Sequence, residues 1–432
     1  EPQAGSDLAA VRTKAEPQPD GTYKIFGQKI FITYGEHDMA ENIVHLVLAR
    51  TPTAPEGVKG ISLFVVPKFM VNADGSLGAR NDAWCVSIEH KLGIHASPTA
   101  VMAYGDHGGA IGYLVGQENR GLEYMFIMMN AARYGVGLEG VADGERAYQR
   151  AVTYARDRIQ GTDIGVRGGG KVAIINHPDV RRMLMSMRSQ VEATRALAYV
   201  VGAAHDAAVH HPDPEVKKQN QAFVDLMIPV VKGWSTEVGV EVATTGVQVH
   251  GGMGFIEETG AAQHLRDVRI STIYEGTTAI QANDLIGRKM AREGGATIKA
   301  VIAMMRKLDA DLAKQPGENF VAIRARFTAG IDELEKAANW IVENYAKDVR
   351  ATSVGAVPFL WLFGIVAGGW QMARAALIAQ ARIDGGDADP FYPAKIITTR
   401  FFADHQMSRA AGLASTVMNG AAGALALEES MF

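Results

Sequence analysis

Glu275 stands where a carboxylate is costly. The stretch Ser271-Thr272-Ile273-Tyr274-Glu275-Gly276-Thr277-Thr278-Ala279-Ile280-Gln281 sets it between an aromatic ring and a glycine, in otherwise apolar sequence. Poor solvation disfavours the charged form and raises the pKa, which suits a general base working near neutral pH. The same residues also read as a helix start. An acid suits a first turn, and Thr277 or Thr278 can cap a helix running from Ile280. Spacing alone leaves both readings open.

Two glycine clusters either approach a phosphate closely or turn the chain. They are Val249-His250-Gly251-Gly252-Met253-Gly254-Phe255 and Gly165-Val166-Arg167-Gly168-Gly169-Gly170. Neither follows a strand, so neither is a dinucleotide fingerprint. The histidines are scattered and no set has metal-ligand spacing, so no metal is expected. Gly5-Ser6-Asp7 lacks the strand-to-helix setting of a hydrolase nucleophile.

The elements that must position these residues change character along the chain. To about Gly116 the pattern is β: Thr22 to Thr33, Ile43 to Ala49, Ile61 to Val66, Val86 to His90 and Ala100 to Tyr104 are short runs between turn signals. From Gly121 the pattern is helical. Leu122 to Arg158, Pro178 to His210, Gln219 to Ala243 (interrupted or kinked at Pro229) and Ile280 to Arg292 carry apolar residues at helical spacing. Helices over Ile298 to Ala313, Val321 to Val349, Val357 to Ile383 and Ile396 to Asn419 follow the Gly294-Gly295 break. This predicts an α+β chain: a small antiparallel β-barrel or sandwich over 1–116, a four-helix bundle over 117–293 and an additional helical domain over 294–432.

Composition narrows the function. A net charge of -4 over 432 residues gives no electrostatic case for nucleic acid or an anionic membrane. Cys85 is the only cysteine, which precludes an internal disulfide and fits a reducing compartment. The apolar run Val357 to Trp370 is shorter than the roughly 20 residues of a bilayer span, so we read it as a buried helix and expect no integral membrane segment. The first residue is Glu1 and no leader pattern follows, so the chain reads as a fragment or a processed product.

Four motifs in register resemble the acyl-CoA dehydrogenase family, from residue 1 to about Arg292. Glu1-Pro2-Gln3-Ala4-Gly5-Ser6-Asp7 resembles its Thr-Glu-Pro-x-x-Gly-Ser-Asp. Gln28-Lys29-Ile30-Phe31-Ile32-Thr33 resembles its Gly-x-Lys-x-Trp-Ile-Thr strand, with Phe for Trp. His250-Gly251-Gly252-Met253-Gly254-Phe255 resembles its Gly-Gly-x-Gly-Tyr/Phe turn. Arg266 to Ile270 with Ile273-Tyr274-Glu275-Gly276-Thr277 is the most specific piece. The family's N-terminal helical domain would be absent. The section from Thr297 is similar to the extra domain of the long forms, the very-long-chain and bacterial 3-methylmercaptopropionyl-CoA dehydrogenase type. His177-Pro178-Asp179-Val180-Arg181-Arg182-Met183-Leu184 resembles that branch too.

The resemblance implies FAD, an acyl-CoA substrate, a trans-2-enoyl-CoA product and an electron-transfer flavoprotein as acceptor. It implies Glu275 as the base that takes the α-proton. Some members hold the base on the helix that here reads Met129-Asn130-Ala131-Ala132-Arg133; Ala132 stands at that position, so Glu275 is the candidate. Ser6, Phe31, Thr33, Arg158, Gln160, Gln248, Gly252 and Thr277 would meet the cofactor. Ser6, Asn130, Arg133 and Gly276 would meet the substrate. Arg158 and Gln160 depart from the family pattern, because Gly161 to Gly170 is longer and Gly-rich. Contacts reaching a neighbouring subunit imply a homodimer. The expected location is the cytoplasm of a bacterium, or the mitochondrial matrix of a eukaryote. An acyl-CoA oxidase and a non-catalytic scaffold are the competing readings.

Overall fold

A computed structural model describes residues 1–432. The chain forms two compact units, Glu1–Ala131 and Ala132–Phe432.

The first unit is an antiparallel sheet. Its strands are β1 (Lys14–Pro17), β2 (Tyr23–Thr33), β3 (Val44–Ala49), β4 (Ser62–Pro67), β5 (Phe69–Val71), β6 (Leu77–Arg80), β7 (Ala83–Ile88), β8 (Thr99–Tyr104) and β9 (Ala110–Leu114). The main sheet runs β3-β4-β9-β2-β8-β7, with β1 also on β2; β5 and β6 form a separate hairpin. The 11-residue β2 changes partners along its length. Tyr23 to Ile25 pair with β9, and Gly27 to Thr33 pair with β8. A Lys14–Arg50 bridge joins β1 to the end of β3, which closes a small ring of strands. Ile25, Val47, Phe64, Val66, Met102 and Tyr104 form the buried core of the sheet, as alternation along each strand requires. Strands β1, β5, β6 and β9 lie outside the predicted runs because they are short and owe their pairing to neighbours.

The second unit is helical. It comprises α1 (Gly121–Asp157, from residue 132 on), α2 (Pro178–His210), α3 (Pro214–His250), α4 (Ala261–Val268), α5 (Thr278–Asn283), α6 (Ala296–Lys307), α7 (Asp309–Leu312), α8 (Glu318–Asn344), α9 (Val349–Val354), α10 (Ala356–Asp384), α11 (Phe391–His405) and α12 (Ala410–Asn419). Two differences from expectation bear on the site. α3 runs unbroken through Pro229 and ends 7 residues beyond Ala243, at His250. The helix expected from Ile280 to Arg292 is instead α5 followed by a π-helix, Asp284–Met290. Packing decides the first: Met227, Val230, Val231 and Trp234 around the proline are buried, and burial outweighs one lost helical hydrogen bond. The Asp163 to Gly170 segment is the turn of a hairpin, β10 (Ile159–Thr162) with β11 (Lys171–Ala173).

One hydrophobic core runs from Ala147 to Val417, through both helical sections. α10 spans 29 residues and its most apolar window has mean hydropathy 1.4, enough by length and composition to cross a membrane. That window is 83% buried within the unit, as a core helix is.

Candidate active site

The Glu275 turn lies between the 3-10 segment Arg269–Thr272 and α5. Thr277 does cap the helix, its Oγ1 accepting from the Ile280 N–H at 3.3 Å. The cap leaves the residues before it outside any helix. There Glu275 takes a left-handed backbone, φ 55°, and Gly276 follows at φ 88°. For a residue with a Cβ this costs about 1–2 kcal/mol. Such strain persists only where surrounding contacts hold it.

Two buried side chains supply those contacts. Lys232 on α3 has no exposed surface, and its Nζ donates to the carbonyls of Ser271 and Gly276, each at 2.8 Å. Gln281 on α5 is equally buried and its Nε2 donates to Glu275 O at 3.2 Å and Gly276 O at 3.3 Å. Tyr274 is fixed from the other side, its hydroxyl donating to Glu139 of α1. The Glu275 N–H itself donates to no protein acceptor.

Charge tunes the carboxylate. Burial pushes the Glu275 pKa above the ordinary carboxylate value; Lys232 and Arg133 pull it back, and Glu139 pushes it up again. Arg133 is 6% exposed and pairs with Asp284 at 3.3 Å, whose other oxygen holds Arg288 at 2.6 Å. Burial draws Lys232 down to about 8, against the pull of Glu275 and Glu237. The turn thus carries a half-buried carboxylate under the influence of two cations, with an unpartnered backbone N–H beside it.

The other expected residues fall into two groups. In the second unit, Arg158 and Gln160 are exposed on and before β10, and Gln248 and Gly252 are exposed at the end of α3. They share one end of the bundle, since Tyr154 stacks on His250 with ring centroids 4.4 Å apart. A cavity of about 610 Å³ opens there, lined by Arg146, Arg150, Tyr154, His250 and His264 among others. Glu275 is not part of its lining. In the first unit, Ser6 is exposed in the opening loop and Asn130 is half-buried on α1. Phe31 has φ 59° and is 67% exposed; Thr33 is exposed two residues on. The pairing of β2 with β8 shifts register between Lys29 and Ile32, which turns that ring outward.

Sequence reading passed over Lys232, Gln281, Glu139 and Asp284. Lys232 had a signal: it is the lone charge in Ile228-Pro229-Val230-Val231-Lys232-Gly233-Trp234, and lysine is rarely fully buried without partners. The others look ordinary in sequence.

Comparison with known proteins decides the family. Residues 1–105 match the acyl-CoA dehydrogenase middle domain, 119–290 the acyl-CoA dehydrogenase C-terminal domain, and 295–428 the domain described as acetyl-CoA dehydrogenase C-terminal like. The chain is 54% identical over 410 residues to the 3-methylmercaptopropionyl-CoA dehydrogenase of Ruegeria pomeroyi, covering 93% of this chain and 68% of that protein. The chain belongs to the acyl-CoA dehydrogenase family. A broad-specificity linear acyl-CoA dehydrogenase of Mycobacterium tuberculosis is a second relative of this acyl-CoA dehydrogenase, 37% identical with 93% and 68% covered. The fold also matches a Bacillus anthracis acyl-CoA dehydrogenase complexed with FAD, at TM-score 0.75 and 21% identity, over 100% of this chain and 69% of that one.

Proposed function

We propose that the protein carries out FAD-dependent α,β-dehydrogenation of an acyl-CoA thioester. The observation that carries this is Glu275: a desolvated carboxylate with its pKa raised, beside its own unpartnered N–H. Glu275 takes the α-proton. Its N–H is placed to donate to the thioester oxygen as negative charge develops there. Arg133 and Lys232 lower the pKa of the half-buried base against the push of burial.

The residues fit FAD. Phe31 presents an apolar ring to solvent, and Thr33 adds a hydroxyl beside it. A Cβ at Gly251 or Gly252 would meet nothing within 4 Å, leaving open backbone for a ligand. Arg158 and Gln160 supply a cation and an amide at the same end of the bundle. When bound, FAD supplies the acceptor for the hydride leaving Cβ, so that proton and hydride losses together give the trans-2-enoyl-CoA. In this reading Ser6, Asn130, Arg133 and Gly276 contact the thioester and its CoA, and Thr277 faces the flavin. Electrons pass on to an electron-transfer flavoprotein.

The reading takes residues 1–116 as the middle domain, 117–293 as the catalytic bundle and 294–432 as the additional domain. It includes a homodimer, supported by the exposed Met253, Phe255 and Ile256 beside the Gly252 turn, with Phe255 85% exposed. The test is an anaerobic visible spectrum of the intact protein titrated with thioesters of graded length. The methylthio-propionyl thioester comes first, because the 54%-identical relative is named for it. Bleaching of the flavin band supports the reading, and rapid peroxide formation in air would move it to an oxidase. Bound flavin that no thioester bleaches favours the scaffold. The Glu275→Gln variant should bind FAD and lose bleaching by ~100-fold or more; normal bleaching removes Glu275 from the mechanism.

A further inference from the structure

We propose that Lys232 is the positioning residue of the base: its ammonium ties both ends of the turn that carries Glu275 and sets its charge against that carboxylate. This rests on the reading of Glu275 as base.

The geometry is specific. The carbonyls of Ser271 and Gly276 are five residues apart and both accept from one Nζ at 2.8 Å. A single buried cation therefore clasps the turn across its mouth. Charge-assisted hydrogen bonds are roughly twice as strong as neutral ones, and more so away from water. The clasp holds the left-handed Glu275 backbone and so aims both its carboxylate and its free N–H.

A buried ammonium is itself expensive, and a structural tie alone would not need the charge. An uncharged amide could donate to two carbonyls, as Gln281 does in the same turn. What lysine adds is electrostatic. No carboxylate lies within ion-pair distance, 4.0 Å, of Nζ. Among surrounding charges Glu275 acts on Lys232 most strongly, followed by Glu237 of α3 and by Arg133 and Glu139 of α1. Asp284 neutralises Arg133 from the π-helix. α5 carries no charged residue, and neither does α10 from Ala356 to Trp370. Lys232 is thus the fixed cation that works against the desolvation of Glu275. Without it, burial would keep the base protonated further up the pH scale.

Three measurements test this. The first is the pH dependence of anaerobic flavin bleaching by a reactive thioester, in wild type, Lys232→Met and Lys232→Gln, with flavin content and melting temperature as controls. Glutamine keeps donors for the two carbonyls and drops the charge. Both variants should move the acid limb of the profile upward by about one pH unit and slow bleaching ~10-fold at the foot of that limb. An acid limb that stays in place overturns the proposal, even if the rate falls uniformly.

The second measurement is hydrogen exchange without thioester, at pH 7, in wild type, Lys232→Gln and Lys232→Met. The Ile273 and Tyr274 amides donate to Ile270 O, and their protection should fall several-fold in Lys232→Met, which has no donor for the two carbonyls, and less in Lys232→Gln. Protection of α2 should not change. Wild-type protection of these amides in Lys232→Met overturns the clasp. The third is a control: if wild type binds flavin and never bleaches, the dehydrogenase reading has failed, and the exchange profile still decides whether Lys232 holds the turn.

Discussion

Replacing Gly276 by alanine should disable the site while leaving the fold in place. Gly276 sits at φ 88°, where a residue with a Cβ pays about 1–2 kcal/mol. The new methyl would also lie 2.6 Å from Gln281 Nε2, closer than any real contact. Gln281 is fully buried and cannot swing into solvent. Moving it strains or breaks its bonds to Glu275 O and Gly276 O, worth ~0.5–1.5 kcal/mol each. The total is about 2–5 kcal/mol, set against a turn that Lys232 and Tyr274 still hold. The turn relaxes and moves Glu275. If about 3 kcal/mol of that appears as lost positioning, the rate falls ~100-fold. The assay is single-turnover anaerobic bleaching by stopped flow, beside flavin content and a thermal melt. Flavin content should match wild type and the melting temperature should drop by about 3–8 °C, the effect of about 2–5 kcal/mol on a unit the size of Ala132–Phe432. Wild-type bleaching in Gly276→Ala would refute the claim that this turn's geometry limits the reaction.

Other outcomes follow from the same structure. Gly252→Ala places a methyl with nothing within 4 Å; stability should not change, but FAD affinity should fall ~10-fold or more if that open backbone is the cofactor's, as equilibrium dialysis would show. Asp143 is pushed up to about 6 by burial, then by Asp267 and Glu139, against Arg146. A carboxylate raised in the folded state weakens stability above that value and costs nothing well below the unfolded value. Asp143→Asn should therefore gain about 1 kcal/mol at pH 7.5, discounted for partial exposure, and less at pH 5, measured as shifts in urea midpoint. Burial likewise raises Glu275, so Glu275→Gln should be at least as stable as wild type at pH 7.5 and lose that margin toward pH 4.

Much of the fold was legible because it is local. Pro178 to His210 was read from helical spacing and is α2 to the residue; β2, β3, β4 and β8 lie within a residue or so of the predicted runs. What stayed hidden is set by neighbours. The hairpin around Gly161 to Gly170 has no sequence signal because its strands are four and three residues long. α11 and α12 were read as one helix, Ile396 to Asn419, and break at Gln406, where no proline or glycine marks the spot. The Glu275 turn is conspicuous in sequence because Tyr274 and Gly276 flank the carboxylate directly. The groups that tune it come from α1, α3 and the π-helix, 43 residues away in the case of Lys232, and no local pattern joins them.

The third helical section bears on the chemistry through packing. Gly364 and Gly368 lie one turn apart on α10, and a Cβ on either would stand 2.3 and 2.5 Å from the Trp234 ring. The bare face of α10 therefore lets that ring lie against the helix backbone. Trp234 is two residues from Lys232, and Gly233 between them packs so closely on Leu360 that a Cβ would come within 2.8 Å. On the other flank, the Tyr345 hydroxyl would meet a Cβ at Gly287 at 2.5 Å, inside the π-helix whose first residue, Asp284, holds Arg133. Both cations that act on Glu275 are thus backed by residues from beyond Gly294. Interiors packed this tightly transmit small shifts. The section from 294 on is, in packing terms, the rear wall of the electrostatics around Glu275.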